Sequence, residues 1–149
     1  MKVNPLLERE ASRLRPGTAL HLGSGEGGDA VWLAEQGWRV VECLDLTETF
    51  PDGEFDLVSV QFLYQPAILK RAALAVAQGG YLVICGHVET PSWSGFLDCE
   101  FPTTKNVLDQ LGLMDNWIII TNEVVRWELE GPCGIETCAD SVLTLKRLF

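Results

Sequence analysis

The stretch TALHLGSGEGGDAVWLAEQGW (residues 18–38) decides the fold. It begins as an apolar run, breaks into glycines at 23, 25, 27 and 28, then resumes with Ala30, Val31, Leu33 and Ala34 at helical spacing. That order predicts a short buried strand over 18–23, a tight turn, and a helix from Asp29 to Gln36 that stops at Gly37. Glycines there let the backbone turn sharply and let a ligand approach without a Cβ in the way. The helix start that follows offers N–H groups lacking helical partners and a partial positive charge, so strand, glycine turn and helix together read as a ligand-binding element.

Working outward, Asn4-Pro5 predicts a capped helix start, with Leu6, Leu7, Ala11 and Leu14 on one face and Pro16-Gly17 as its stop. WRVVECL (38–44) and FDLVSVQFL (55–63) read as strands, separated by the turn-forming FPDGE. QPAILKRAALAVAQGG (65–80) reads as an amphipathic helix closing on Gly79-Gly80, and YLVICGH (81–87) as a buried strand. Residues 88–101 read as an irregular aromatic loop, and TTKNVLDQLGL (103–113) as a short helix. WIIITNEVVRWELE and CADSVLTLKRLF are two final strands flanking the turn at Gly131-Pro132. Strands alternating with helices predict one α/β domain over 1–149, with a mostly parallel sheet and an antiparallel hairpin at the end.

Composition narrows the function. The 149 residues carry 21 acids against 11 bases, a net charge of −10 that disfavours a nucleic-acid partner. Apolar runs stop near ten residues, too short to span a bilayer, and the N-terminus has acids and arginines where an export signal has an apolar core. A cytoplasmic protein is the expectation. The five cysteines contain no CxxC pair, so no metal site is expected.

LHLGSGEGGDAVWLAEQGWRV (residues 20–40) resembles the first motif of the class I S-adenosylmethionine-dependent methyltransferases, an apolar strand running into a GxGxG loop. FDLVSVQFLY resembles that family's fourth strand, and LKRAALAVAQGGYLVICGH its next helix, Gly-Gly turn and fifth strand. The C-terminal hairpin resembles its sixth and seventh strands. The resemblance implies a Rossmann-like, doubly wound sheet and S-adenosyl-L-methionine as cofactor. It implies that Gly23, Ser24, Gly25 and Gly27 wrap the methionine end, and that Asp45, or second Glu42, bonds the ribose. Gln61 and Phe62 would lie beside the cofactor and the transferred methyl. His21 stands where the family usually has an acid, and is either a ligand acting through water or a satisfied buried side chain.

The chain departs from the family between Asp45 and Phe55, where nine residues replace a helix, a strand and a further helix. Two pairings remain open: an extended return to a parallel strand, or a hairpin of VVECLDL with FDLVSVQF that would bring Asp45 near the adenine. A missing third strand would expose the edge of the second, which suggests a homodimer. The reading is a methyltransferase acting on a small molecule. Its rivals are an inactive methyltransferase-like binding or dimerisation module and a nicotinamide-dinucleotide domain with Asp45 as ribose acid. No catalytic residue is assigned. His87, Tyr64 and Glu89 are near strand ends where a base would lie. Trp93, Phe96 and Phe101 suit either an apolar cover over a small substrate or ordinary core packing.

Overall fold

A computed structural model describes residues 3–23, 28–43, 51–61, 66–89, 104–111, 116–132 and 134–149. The elements are α1 (Pro5–Ala11), β1 (Thr18–Leu22), α2 (Gly28–Glu35), β2 (Arg39–Cys43), β3 (Phe55–Gln61), α3 (Pro66–Leu74), β4 (Val76–Glu89), α4 (Thr104–Leu111), β5 (Trp117–Gly131) and β6 (Gly134–Arg147). Six strands form one sheet in the order β2-β1-β3-β4-β6-β5. The pairs β1–β2, β1–β3 and β3–β4 are parallel, and β6 is antiparallel to both its neighbours. The mostly parallel sheet with its C-terminal antiparallel hairpin is the one expected from sequence.

Period-two alternation along the strands sorts the core into two layers. Leu20, Leu22, Val58, Val60, Leu82, Ile84, Leu143 and Leu145 face Ile68, Leu69, Ala72 and Ala73 of α3 and Val107 of α4. Ala19, Leu57, Val83, Cys85 and Val142 face Leu6, Leu7 and Ala11 of α1 and Leu33 of α2. Helices cover both faces, so the sheet is doubly wound.

The glycine stop of α2 is as predicted. Gly37 has φ +99°, the Gly37 N–H donates to the Ala34 carbonyl and the Trp38 N–H to the Leu33 carbonyl. This double closure is a Schellman motif, with buried Trp38 and Leu33 in one cluster.

The structure chooses between two open pairings and corrects three expectations. First, of the two pairings, the parallel one is found: β2 pairs with β1 on the side away from β3 and makes no hairpin with β3. The eleven residues between Cys43 and Phe55 return the chain across β1. From the strand spacings this is a span of roughly 20 Å, within the reach of about 36 Å for eleven extended residues. Second, α3 ends at Leu74 instead of Gly79-Gly80. Phe55 N–H donates to the Ala75 carbonyl, and Val76, fully buried, pairs with Phe55, so the sheet claims residues whose local pattern suits a helix. Third, α1 ends at Ala11, ahead of Pro16-Gly17, with the Ser12 hydroxyl donating to the Glu8 carbonyl at its last turn. Fourth, β6 begins at Gly134, four residues before Cys138, because it pairs with β5 from the turn onward.

β2 forms one edge of the sheet. Arg39, Val41 and Glu42 are exposed, whereas six of the seven β3 residues are buried. Among the described residues, no strand pairs with the outer side of β2, as expected.

Candidate functional site

The face of the sheet under α1 and α2 changes character along the strands. Towards the carboxyl edge, β1 runs from Ala19 to His21, β3 from Leu57 to Ser59 and Gln61, and β4 from Val83 through Cys85 to His87. On antiparallel β6 the same direction leads from Val142 to Asp140. A polar band thus crosses the sheet beside the glycine turn, at the edge where open α/β sheets bind ligands.

His21, Ser59 and Gln61 are almost fully buried, so their polar atoms need partners. Gln61 Nε2 donates to Ser59 Oγ at 2.9 Å, and Ser59 Oγ lies 3.3 Å from His21 Nδ1. Gln61 Oε1 accepts from Asn4 Nδ2 at 3.1 Å. The Asn4 backbone N–H donates to Asp29 Oδ1 at 2.6 Å, and Asn4 Oδ1 accepts from Leu6 N–H as the cap of α1. Asp29 Oδ2 is 3.8 Å from His21 Nε2. One asparagine therefore caps α1 while tying it to the first turn of α2 and the end of β3.

Burial lowers the pKa of His21 below its usual range, and the carboxylates of Asp29 and Glu42 only partly oppose this. The ring is neutral near pH 7. Placing its proton on Nε2, facing Asp29, leaves Nδ1 to accept from the Ser59 hydroxyl, which accepts in turn from Gln61. Cys85 shares this band, and its thiol is pushed up to about 12, first by burial. It is a thiol at any ordinary pH and no nucleophile.

Gly23 closes the end of β1 at φ +113°, and a Cβ there would sit 2.5 Å from the Gln61 carbonyl oxygen. The first glycine of the motif thus has an internal duty: it lets the ends of β1 and β3 approach. Glu42 is exposed on β2, directly opposite His21 in the ladder. Gln61 is the last residue of β3, and its side chain bonds inward. Ser24, Gly25, Gly27, Asp45 and Phe62 lie outside the described residues, as do Tyr64, Trp93, Phe96 and Phe101.

One strand further along, His87 Nδ1 is 2.9 Å from Asp140 Oδ1. His87 is half-buried and Asp140 buried. The structure therefore assembles His21, Gly23, Glu42 and Gln61 at one edge, and adds Asn4, Ser59, Asp29 and Asp140. Asp29 had a local signal, an acid directly after the glycines. Asn4 read only as a cap, and Asp140 had no signal, since its partner is 53 residues away. A separate cleft of about 320 Å³, lined by Arg13, Arg15, Trp38 and Tyr81 among others, lies at the opposite end of the sheet.

No family profile and no curated protein sequence matches this chain. Solved structures do. TehB from Haemophilus influenzae superposes with a TM-score of 0.73 at 15% identity, over 97% of this chain and 62% of that one. The chain has the class I methyltransferase fold. The N-methyltransferase NodS from Bradyrhizobium japonicum WM9 superposes with a TM-score of 0.54 at 15% identity, over 95% of this chain and 92% of that one. The [4+2]-cyclase SpnF does so at 0.59 and 14% identity, over 95% and 79%. Identities this low speak to the fold, and the methyltransferase fold carries more than one reaction among these three. This chain spans less than two thirds of the length of TehB. Among the described residues, no helix is long and apolar enough to cross a membrane, and no cluster of three metal-ligating side chains occurs.

Proposed function

We propose that this chain binds S-adenosyl-L-methionine at the carboxyl edge of β1, β2 and β3 and transfers its methyl group to a small molecule. The observation that carries this is the polar band beside Gly23 on a methyltransferase fold. The Asp29 carboxylate lies 3.8 Å from the His21 ring and Glu42 stands opposite His21 on β2, so two acids flank this edge. A ligand bearing a sulfonium, an ammonium and a ribose diol fits such a donor set. When bound, it supplies an activated methyl group.

The chain's own residues would hold and shield it. His21, Gly23, Glu42 and Gln61 stand at the edge, and Ser24, Gly25, Gly27, Asp45 and Phe62 complete the set this reading assigns. Asp29 and Glu42 would offset the ligand's cationic charge, and the bonded row Gln61–Ser59–His21 would form a fixed floor. Alignment and exclusion of water supply most of the rate for an activated methyl.

Calorimetric titration with S-adenosylmethionine, its demethylated product and NAD tests this reading. Micromolar binding of the first two and not of NAD is expected. A folded sample that binds neither sulfur ligand overturns the reading and favours the second one, an inactive binding or dimerisation module. The observation favouring that alternative is the short connection from β2 to β3, eleven residues in all.

A homodimer and a cytoplasmic location belong to the same proposal. The exposed β2 edge, with Val41 41% accessible, offers a second copy a strand to pair with. Light scattering after size exclusion should show a dimer, and a monomer alone removes that part. Cys43, Cys85 and Cys138 are buried thiols outside any disulfide, as suits a reducing compartment.

A further inference from the structure

We propose that His87 and Asp140 form a proton-accepting dyad and that the methyl acceptor is a hydroxyl or amine which must lose a proton. This rests on the methyl-transfer reading above. Three observations carry it. Gln61 pairs with Cys85, so His87 lies one pleat beyond Gln61 on the neighbouring strand and on the same face of the sheet. From strand spacing and rise, their Cα atoms are roughly 8 Å apart, which sets the imidazole beside the cofactor edge.

Second, the pair has the geometry of an oriented base. Asp140 Oδ1 is 2.9 Å from His87 Nδ1, and the carboxylate side chain is 11% exposed against 31% for the imidazole. A buried carboxylate accepts the proton of Nδ1, which directs the Nε2 lone pair away from it. Third, the β4–β6 ladder slips directly after His87: the step from His87 to Glu89 is matched by the single step from Asp140 to Ala139. Such a bulge re-aims side chains and is common beside active sites.

The proton step balances simply. The X–H bond of the acceptor breaks with its electron pair staying on X, and a new N–H bond forms at His87 Nε2. The resulting imidazolium is stabilised by the Asp140 carboxylate, and the proton later passes to water. A positioned base of this kind contributes about 10²–10⁴-fold. An acceptor that is already an anion gains nothing from it, which is why the dyad names the substrate class.

The test combines two readouts. Imidazole ¹⁵N spectra of the whole chain without cofactor should place the neutral-ring proton of His87 on Nδ1, and Asp140→Asn should mix the tautomers. Methylation is then followed by mass spectrometry with catechol, phenol and benzylamine as protonated probes and thiophenol as a probe ionised near neutral pH. At least one protonated probe should be methylated. His87→Gln should lower kcat for it at least 100-fold, with KM for S-adenosylmethionine and the thiophenol rate within about threefold. Asp140→Asn should lose about 10-fold, and its unfolding midpoint shows whether either loss is merely structural. A ring proton on Nε2, methylation of thiophenol alone, or His87→Gln activity within threefold of wild type overturns the dyad. Failure of wild-type chain to bind the cofactor removes the methyl-transfer reading instead, and the spectra still decide how the imidazole is held.

Discussion

The two faces of the sheet differ in a way that separates folding from function. Under α3 and α4, Leu20, Leu22, Val58, Val60, Leu82, Ile84, Leu143 and Leu145 form one apolar cluster. Under α1 and α2, β1, β3 and β4 begin apolar and end in His21, Gln61 and His87, with Asp140 of β6 beside them. The stability of the first cluster comes from burial and packing. The second gives up apolar area at one edge and offsets this with a hydrogen-bonded network that draws in α1 through Asn4. Its buried side chains His21, Ser59 and Gln61 would be costly there without partners.

The largest expected effect tests the apolar face. Leu82 is fully buried, and Leu82→Ala should cost about 2–5 kcal/mol in chemical denaturation. Its effect on binding at the opposite face should be negligible. If binding falls in parallel with stability, the two faces are not separable.

Gly23→Ala joins the faces and comes next. It forces a left-handed backbone on alanine and drives a Cβ into the Gln61 carbonyl. Strain of this kind costs about 1–3 kcal/mol, and cofactor binding should weaken as the ends of β1 and β3 move apart. An unchanged unfolding midpoint would show that the turn relaxes freely.

Glu10 of α1, buried against β6, probes the same face of the sheet at a second point. Burial opposes its ionisation, but hydrogen bonds from Thr121 and Thr144 and the Arg9 side chain outweigh that and hold it below the usual carboxylate value. The Thr144 hydroxyl donates to Glu10 Oε1 at 2.8 Å. Thr144→Val should cost about 1–3 kcal/mol at pH 7. Because the folded pKa is depressed, this stabilisation is complete above the ordinary value near 4.5 and is lost as pH falls through the lower folded value. Wild-type and variant stabilities should therefore converge in acid, and a constant gap would mean that Glu10 stays charged or never mattered.

The smallest effect is a slope. His21 is held neutral by burial, so the native state resists its protonation as pH falls below about 6.5. His21→Gln should flatten the loss of stability on the acid side while changing little above neutrality. Equal slopes for the two chains would indicate that the ring is hydrated.

Much of this architecture was legible along the chain. The run from Ala19 into the glycines and on to Leu33 carried both periods and both stops, and Asn4-Pro5 carried its own cap. The end of α3 was not legible, because Ala75 and Val76 suit a helix until Phe55 offers them a ladder. The network around His21 was hidden for a similar reason. Three of its bonds join residues 25, 38 and 57 positions apart, and no local window holds both partners of any of these.

The alternation of strands and helices, the apolar stripe on each face of the sheet and the glycine turn are written locally in the chain, since propensity and periodicity act over a few residues. That β2 sits outside β1, that α3 yields its last turns to β4, and that His87 meets Asp140 emerge on packing. Those outcomes depend on register and on the closing of long loops, where many pairings are locally equivalent and only the packed whole selects one.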